Sequence, residues 1–199
     1  MKAHALELMR ESMNVVDTRI ADLKIIHPRR HTDERGTFME TYNRQRYAKY
    51  GMETKFVQDN YALSHKKGTI RGLHFQTPPC AQTKLVWVVR GGILDVVVDV
   101  RHGSRTYGEH LTFELYADTP QQVFVPIGFA HGYCTLEDET EVAYKVDYPY
   151  SPDHEGGVFW DDPTLGIAWP VTPNEAIVAD RDRELPLLEH MEQKFSLPL

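Results

Sequence analysis

The sequence predicts an all-β fold, a sandwich of jelly-roll type with a few short peripheral helices. Three observations carry that reading: many short β-rich runs, turn residues at frequent intervals between them, and almost no helical periodicity. The runs appear in order. Val15 to Leu23 is β-rich, Leu85 to Arg90 likewise, and Ile93 to Val100 is nearly continuous Val, Ile and Leu. Leu111, Phe113 and Leu115 alternate with polar residues, the signature of a strand with one buried face, and Val123 and Val125 repeat it ahead of Pro126. Gly91-Gly92, between two such runs, reads as a hairpin turn. Further breaks fall at Gly103-Ser104, Asp118-Thr119-Pro120, Pro126-Ile127-Gly128 and Gly156-Gly157. Helical periodicity is confined to Asn43–Tyr50, closed by Gly51, and a stretch around Leu187–Met191.

Length and composition set the bounds. A chain of 199 residues suits one domain and can bury a sizeable core without disulfides or a structural metal. Residues 1–12 read as an N-terminal appendage, and 13–199 as a single domain whose Pro-rich tail wraps back on it. The formal net charge of -7 gives no support to general nucleic-acid binding, although a local cluster of Arg and Lys can still hold a phosphate. No run approaches a membrane span or a signal peptide, so a cytoplasmic location is expected, with Cys80 and Cys134 as two reduced thiols.

The densest chemistry lies in Arg71-Gly72-Leu73-His74-Phe75-Gln76. Alternation there puts Arg71, Leu73 and Phe75 on one face and Gly72, His74 and Gln76 on the other. Lys84 opens the next apolar run, so an imidazole and an ammonium could share one cavity. Taken alone, a strand histidine is more often structural than catalytic. His131 follows a Gly/Pro turn, and the alternation of Glu141 to Val146 puts Val142, Tyr144 and Val146 on one side. A Tyr in that setting is usually core. A metal site on this kind of fold needs more ligands than His74 and His131, for Gln76 stands where a second His belongs and no carboxylate occurs from Gly72 through Gly92. Metal-free acid–base chemistry without a cofactor is therefore expected. Arg35, beside Gly36, reads either as part of a solvated turn or as a fork for a phosphate. No Walker-type or dinucleotide-type Gly-rich loop occurs, so side chains such as Arg35, Arg71 and Lys84 would have to hold any nucleotide.

From about Val15 to about Leu188 the chain resembles the dTDP-4-dehydrorhamnose 3,5-epimerase family of cupin-like jelly rolls. The elements come in family order: Asp33-x-Arg35-Gly36-x-Phe38, Gln58-Asp59-Asn60, Arg71 to Gln76, Lys84-Leu85-Val86, Asp99-x-Arg101-x-Gly103-Ser104, Pro126-x-Gly128-Phe129-Ala130-His131-Gly132, Tyr144-Lys145 and Trp160-Asp161-Asp162-Pro163. The resemblance implies an isomerase that inverts C3 and C5 of dTDP-4-dehydro-6-deoxy-D-glucose, yielding a rhamnose precursor for cell-surface polysaccharide. It implies His74 as the base, Asp182 as the carboxylate that orients it, Tyr144 as the proton donor on the opposite face and Lys84 as the group that stabilises the enolate. Arg35, Glu40, Gln58, Asn60, Arg71, His131, Glu155 and Arg181 fall at substrate-binding positions. A homodimer that exchanges N-terminal strands is implied too. Two departures stand out. Arg181 replaces the usual Lys before the orienting Asp, and Val146-Asp147 replaces the usual pair after Tyr144-Lys145. They leave open a variant that inverts only one carbon. A non-catalytic sugar-nucleotide-binding cupin is the remaining reading, and it would need neither base nor donor.

Overall fold

The computed structural model describes residues 13–196, so the expected appendage at residues 1–12 lies outside the described residues. Fourteen strands dominate: β1 (Met13–Asp17), β2 (Lys24–Pro28), β3 (Arg30–Asp33), β4 (Gly36–Met39), β5 (Gln58–Ser64), β6 (Thr69–Gln76), β7 (Lys84–Arg90), β8 (Gly92–Asp99), β9 (His110–Tyr116), β10 (Gln122–Val125), β11 (Phe129–Thr135), β12 (Thr140–Val146), β13 (Glu155–Gly157) and β14 (Ile177–Val178). Among the described residues there are also two short helices, α1 (Arg44–Ala48) and α2 (Asp180–Arg183), and two single 3₁₀ turns.

The strands form two facing sheets. The first runs β1-β2-β10-β7-β12-β5, and the second β13-β6-β11-β8-β9 with β14 added in parallel to β6. Between them lie Val86, Val88, Ile93, Val97, Leu115, Val123, Val125, Phe129 and Val142. These are the inward beats of the alternation in β7 to β12, so burial of one face per strand selects the register. Ile20 and Leu23 join this core from the turn between β1 and β2, where the β-rich run of Val15 to Leu23 breaks. The outer face of the second sheet carries its own cluster, including Leu73, Phe75, Val96, Val98 and Ala130. The C-terminal segment covers it. Phe195 meets Phe75 edge-to-face at 5.4 Å, and His102 N–H donates to the Phe195 carbonyl at 2.7 Å. Burying a ring of that size contributes about 2–3 kcal/mol. The outer face of the first sheet is covered by the segment carrying α1, through Tyr47 and Met52.

Three local expectations need correction. Gly91-Gly92 joins β7 to β8, but those strands belong to different sheets, so the turn crosses the sandwich and makes no hairpin. Gly91 has φ +75, and a Cβ there would meet Thr140 Oγ1 at 2.5 Å, which explains the glycine. The first helix is shorter than its periodicity suggests. Asn43 caps it by accepting from Gln45 and Arg46 N–H groups. Around Leu187–Met191 the chain makes only a 3₁₀ turn, Leu188–His190, which is too short to build an apolar helical face.

Candidate active site

Between the sheets lies a cavity of about 400 Å³. That is an ordinary size for a small-molecule site. Arg71, His74, Lys84, His131, Tyr144, Arg181 and Asp182 all line it. Gln76, Gln82, Tyr150 and Glu155 line a side pocket of about 150 Å³ that shares His74, Lys84, Tyr144 and Arg181 with it.

Arg71 reaches this cavity because β6 does not alternate regularly. His131 pairs with His74 and Tyr133 pairs with Arg71, so β6 advances three residues where β11 advances two. The extra residue is a bulge, and a bulge restarts the alternation. Arg71 and His74 therefore share the inner face, contrary to the strict alternation expected from the sequence. Leu73 and Phe75 turn to the outer core, as expected. The bulge requires glycine on both strands. Gly72 has φ +129, a Cβ on it would sit 2.5 Å from Gly132 Cα, and one on Gly132 would sit 2.6 Å from the Arg71 carbonyl oxygen.

His74 Nε2 lies 2.8 Å from Asp182 Oδ1. The other carboxylate oxygen accepts from Gly72 N–H at 3.1 Å. Asp182 comes from α2, a four-residue helix that contacts β6. Burial works against ionisation of Asp182, but the hydrogen bond and charge of His74, the Gly72 N–H and Arg181 outweigh it and lower its pKa. A carboxylate on Nε2–H leaves Nδ1 as the basic nitrogen of neutral His74.

Lys84 enters from the first sheet and donates to the His74 backbone carbonyl at 3.1 Å. The two residues share the cavity by facing one another across the sandwich, since their strands do not pair. Burial lowers the Lys84 pKa to about 8, with the charges of Asp95 and Glu155 opposing the shift. Tyr144 stands on β12, in the sheet facing His74. Burial raises its pKa, Arg71 and Arg181 work to lower it, and Glu155 and Tyr150 raise it further. Tyr144 is thus a protonated phenol near neutral pH.

The remaining expected residues separate into three groups: those that line the cavity or its side pocket, two on β5 that line neither but pair beside Tyr144, and two away from it. His131, Glu155 and Arg181 join the cavity or its side pocket. Arg181 lies 3.4 Å from Glu155 and 3.5 Å from Asp182. Asn60 pairs in register with Tyr144, and Gln58 donates to Asn60 at 2.8 Å. Arg35 and Glu40 do not line the cavity. Arg35 tips the β3–β4 ribbon, a separate two-stranded sheet, where its fork is engaged by Asp33. Glu40 pairs with Arg46 at 3.0 Å.

Sequence reasoning missed Asp95. It is fully buried on β8 and lies 2.7 Å from His131 Nε2, making a second His–carboxylate pair beside the first. A lone carboxylate inside the apolar run Ile93 to Val98 was the available signal, since a buried charge needs a partner. Tyr150 was also missed. Its backbone N–H donates to Gln58 at 3.0 Å and its hydroxyl to Glu155 at 2.9 Å, so it ties β5 to the side pocket.

In this jelly roll a His–Asp pair and an ammonium share one cavity, faced by a phenol from the opposite sheet, an arrangement chemically able to move protons. The family model for dTDP-4-dehydrorhamnose 3,5-epimerase matches residues 17–190. The chain belongs to that family. A crystal structure of dTDP-4-dehydrorhamnose 3,5-epimerase from Bacillus anthracis with TDP and PPi bound is 50% identical, with a TM-score of 0.85, covering 88% of this chain and 99% of that one. A crystal structure of dTDP-6-deoxy-D-glucose-3,5-epimerase from Legionella pneumophila in complex with dTDP-4-keto-L-rhamnose is 39% identical, with a TM-score of 0.86, covering 90% of this chain and 95% of that one. A dTDP-4-dehydrorhamnose 3-epimerase from Streptomyces niveus is 37% identical over 175 residues, 87% of this chain and 83% of the relative.

Proposed function

We propose that the protein inverts C3 and C5 of dTDP-4-dehydro-6-deoxy-D-glucose to give dTDP-4-dehydro-L-rhamnose, without a metal or cofactor. The observation that carries this is the pairing of His74 with Asp182 in a cavity that Tyr144 enters from the facing sheet. A proton α to a ketone is weakly acidic, so a base alone is insufficient. His74 Nδ1 takes the proton from C3 or C5, and Asp182 stabilises the imidazolium that results. Negative charge moves to the C4 oxygen, where Lys84 supplies a positive charge in a site shielded from water. Tyr144 returns a proton to the other face, so the carbon is inverted; the imidazolium then gives its proton to solvent and the phenol is re-protonated from solvent, which resets both groups for the second carbon. Arg71 and Arg181 are the cations available to the diphosphate. Gln58, Asn60, His131 and Glu155 support the sugar and the side chains around it.

Tyr144→Phe separates the two halves of the reaction. It is expected to cut inversion by about 10²–10³-fold while solvent exchange through His74 survives in larger part. Product formation and deuterium uptake, followed together by NMR, check this, and equal loss of both would count against the donor role. The 3-epimerase relative favours a second reading, inversion at C3 alone, in which deuterium enters at one carbon.

The protein acts as a homodimer in this proposal, with the N-terminal ribbon exchanged and Arg35 and Glu40 serving the partner's site. Support comes from the β3–β4 ribbon, which is exposed almost throughout and carries Phe38 at 71% exposure. Light scattering is expected to give twice the chain mass of 22.9 kDa, and the single-chain mass at assay concentration would contradict the exchange. Among the described residues no helix is long and apolar enough to cross a membrane. Cytoplasmic residence is part of the same proposal, with Cys80 and Cys134 kept as buried free thiols.

A further inference from the structure

Two buried charged side chains lack a partner of fixed opposite charge in contact. Asp95, on β8, is 0% exposed. Its Oδ2 meets His131 Nε2 at 2.7 Å, and among the described residues its Oδ1 has no hydrogen-bond partner. Lys84, also buried, spends its hydrogen bond on the neutral His74 carbonyl. A buried charge is costly unless a counter-charge offsets it. The other buried carboxylates are satisfied. Asp99 is forked by Arg101, Asp162 accepts from the Thr164 and Leu188 N–H groups, and Asp182 accepts from Gly72 N–H with His74 beside it.

Contacts bring the remaining two together. Lys84 reaches across the sandwich to the His74 carbonyl, His74 is level with His131 on the neighbouring strand, and His131 holds Asp95. Burial works against the ammonium, and the charge of Asp95, ahead of that of Glu155, works for it. Glu155 is engaged elsewhere, by the Tyr150 hydroxyl and Arg181. Asp182 is engaged by His74, and Asp147 by the Thr83 N–H at 2.7 Å. Tyr133 and Tyr144 are phenols that burial keeps protonated, and Arg71 and Arg181 only add positive charge to the cavity wall.

We propose that Asp95 is a positioning residue: its carboxylate is the counter-charge of Lys84 across the core and keeps the ammonium charged where the enolate forms. Asp95 does not line the cavity and acts through Lys84, which does. The catalytic meaning of the pair rests on the epimerase reading above, and the pairing of the two charges does not.

Asp95→Asn removes the charge and keeps an oxygen for His131 Nε2, so it separates the two roles of the carboxylate. The isotope-labelled Lys84 side chain is titrated by NMR without substrate. It is expected to lose its proton about one pH unit lower in Asp95→Asn than in the unaltered protein, the low end of what a nearby opposite charge supplies. The alkaline limb of kcat/KM should move down with it. A merely structural role for Asp95 would move neither. An unchanged Lys84 titration would overturn the inference and leave His131 as the partner of Asp95. Melting curves read the pair a second way. Asp95→Asn should lower the midpoint in the otherwise unaltered protein and raise it in Lys84→Met, where the carboxylate has lost its cation. A lowering in both backgrounds would also overturn the inference. No solvent exchange by the unaltered protein, beside a Lys84 titration that does shift, would overturn the epimerase reading and leave the charge pair standing.

Discussion

Replacing His74 with Ala is expected to lower solvent exchange at both C3 and C5 by about 10²–10⁴-fold, the range that a positioned general base supplies. The loss should fall on kcat more than on KM, because the imidazole acts as the proton moves and the phosphate-binding cations are untouched. His74→Ala also leaves the Asp182 carboxylate without its strongest partner while Gly72 N–H still holds the other oxygen. The bulge that presents position 74 should therefore persist, and a small change in thermal midpoint beside a large loss of exchange is the expected pair of results. NMR-followed deuterium uptake and a melting curve check both.

Lys84→Met should cost about 10²–10³-fold in kcat/KM, comparable with removal of one group that stabilises a developing oxyanion. Met preserves much of the buried stem and removes the charge. The lysine also makes a pH prediction. Burial lowers its pKa to about 8, and the group is cationic only below that value. Enolate stabilisation is thus present at lower pH and lost as pH rises through about 8. A plot of kcat/KM against pH should fall on its alkaline side near 8 in the unaltered protein. The same limb should be missing from Lys84→Met. A limb of unchanged position in the variant would assign it to another group.

Much of the fold was legible because one buried face per strand leaves a period of two in the sequence. Leu111, Phe113 and Leu115 on β9 and Val123 and Val125 on β10 follow it, and all pack toward the inner core. The partition of strands between sheets was not legible. Gly91-Gly92 reads the same locally whether it makes a hairpin or crosses the sandwich, and what decides is the pairing of β7 with β10 and β12 and of β8 with β11 and β9. The site shows the same division. His74, Lys84 and Tyr144 stood out as polar residues in β-like runs, and the structure gathers them in one cavity. Strict alternation puts Arg71 on the wrong face because the bulge arises from close approach of Gly72 to Gly132, a contact sixty residues apart in the chain. Asp182 sits on a helix of four residues, too short for any periodicity, and only the family resemblance singled it out. Asp95 was overlooked inside a strand read for its apolar content, although its charge was the anomaly.

In the proposed reaction His74 removes protons next to a ketone on a dTDP-linked sugar. The most direct measurement is incubation of dTDP-4-keto-6-deoxyglucose with the protein in deuterium oxide, read by proton NMR. Deuterium is expected at both C3 and C5, appearing with dTDP-4-keto-L-rhamnose and slowed by about 10²–10⁴-fold when His74 is replaced. Tight binding of the sugar nucleotide with no deuterium at either carbon would contradict it.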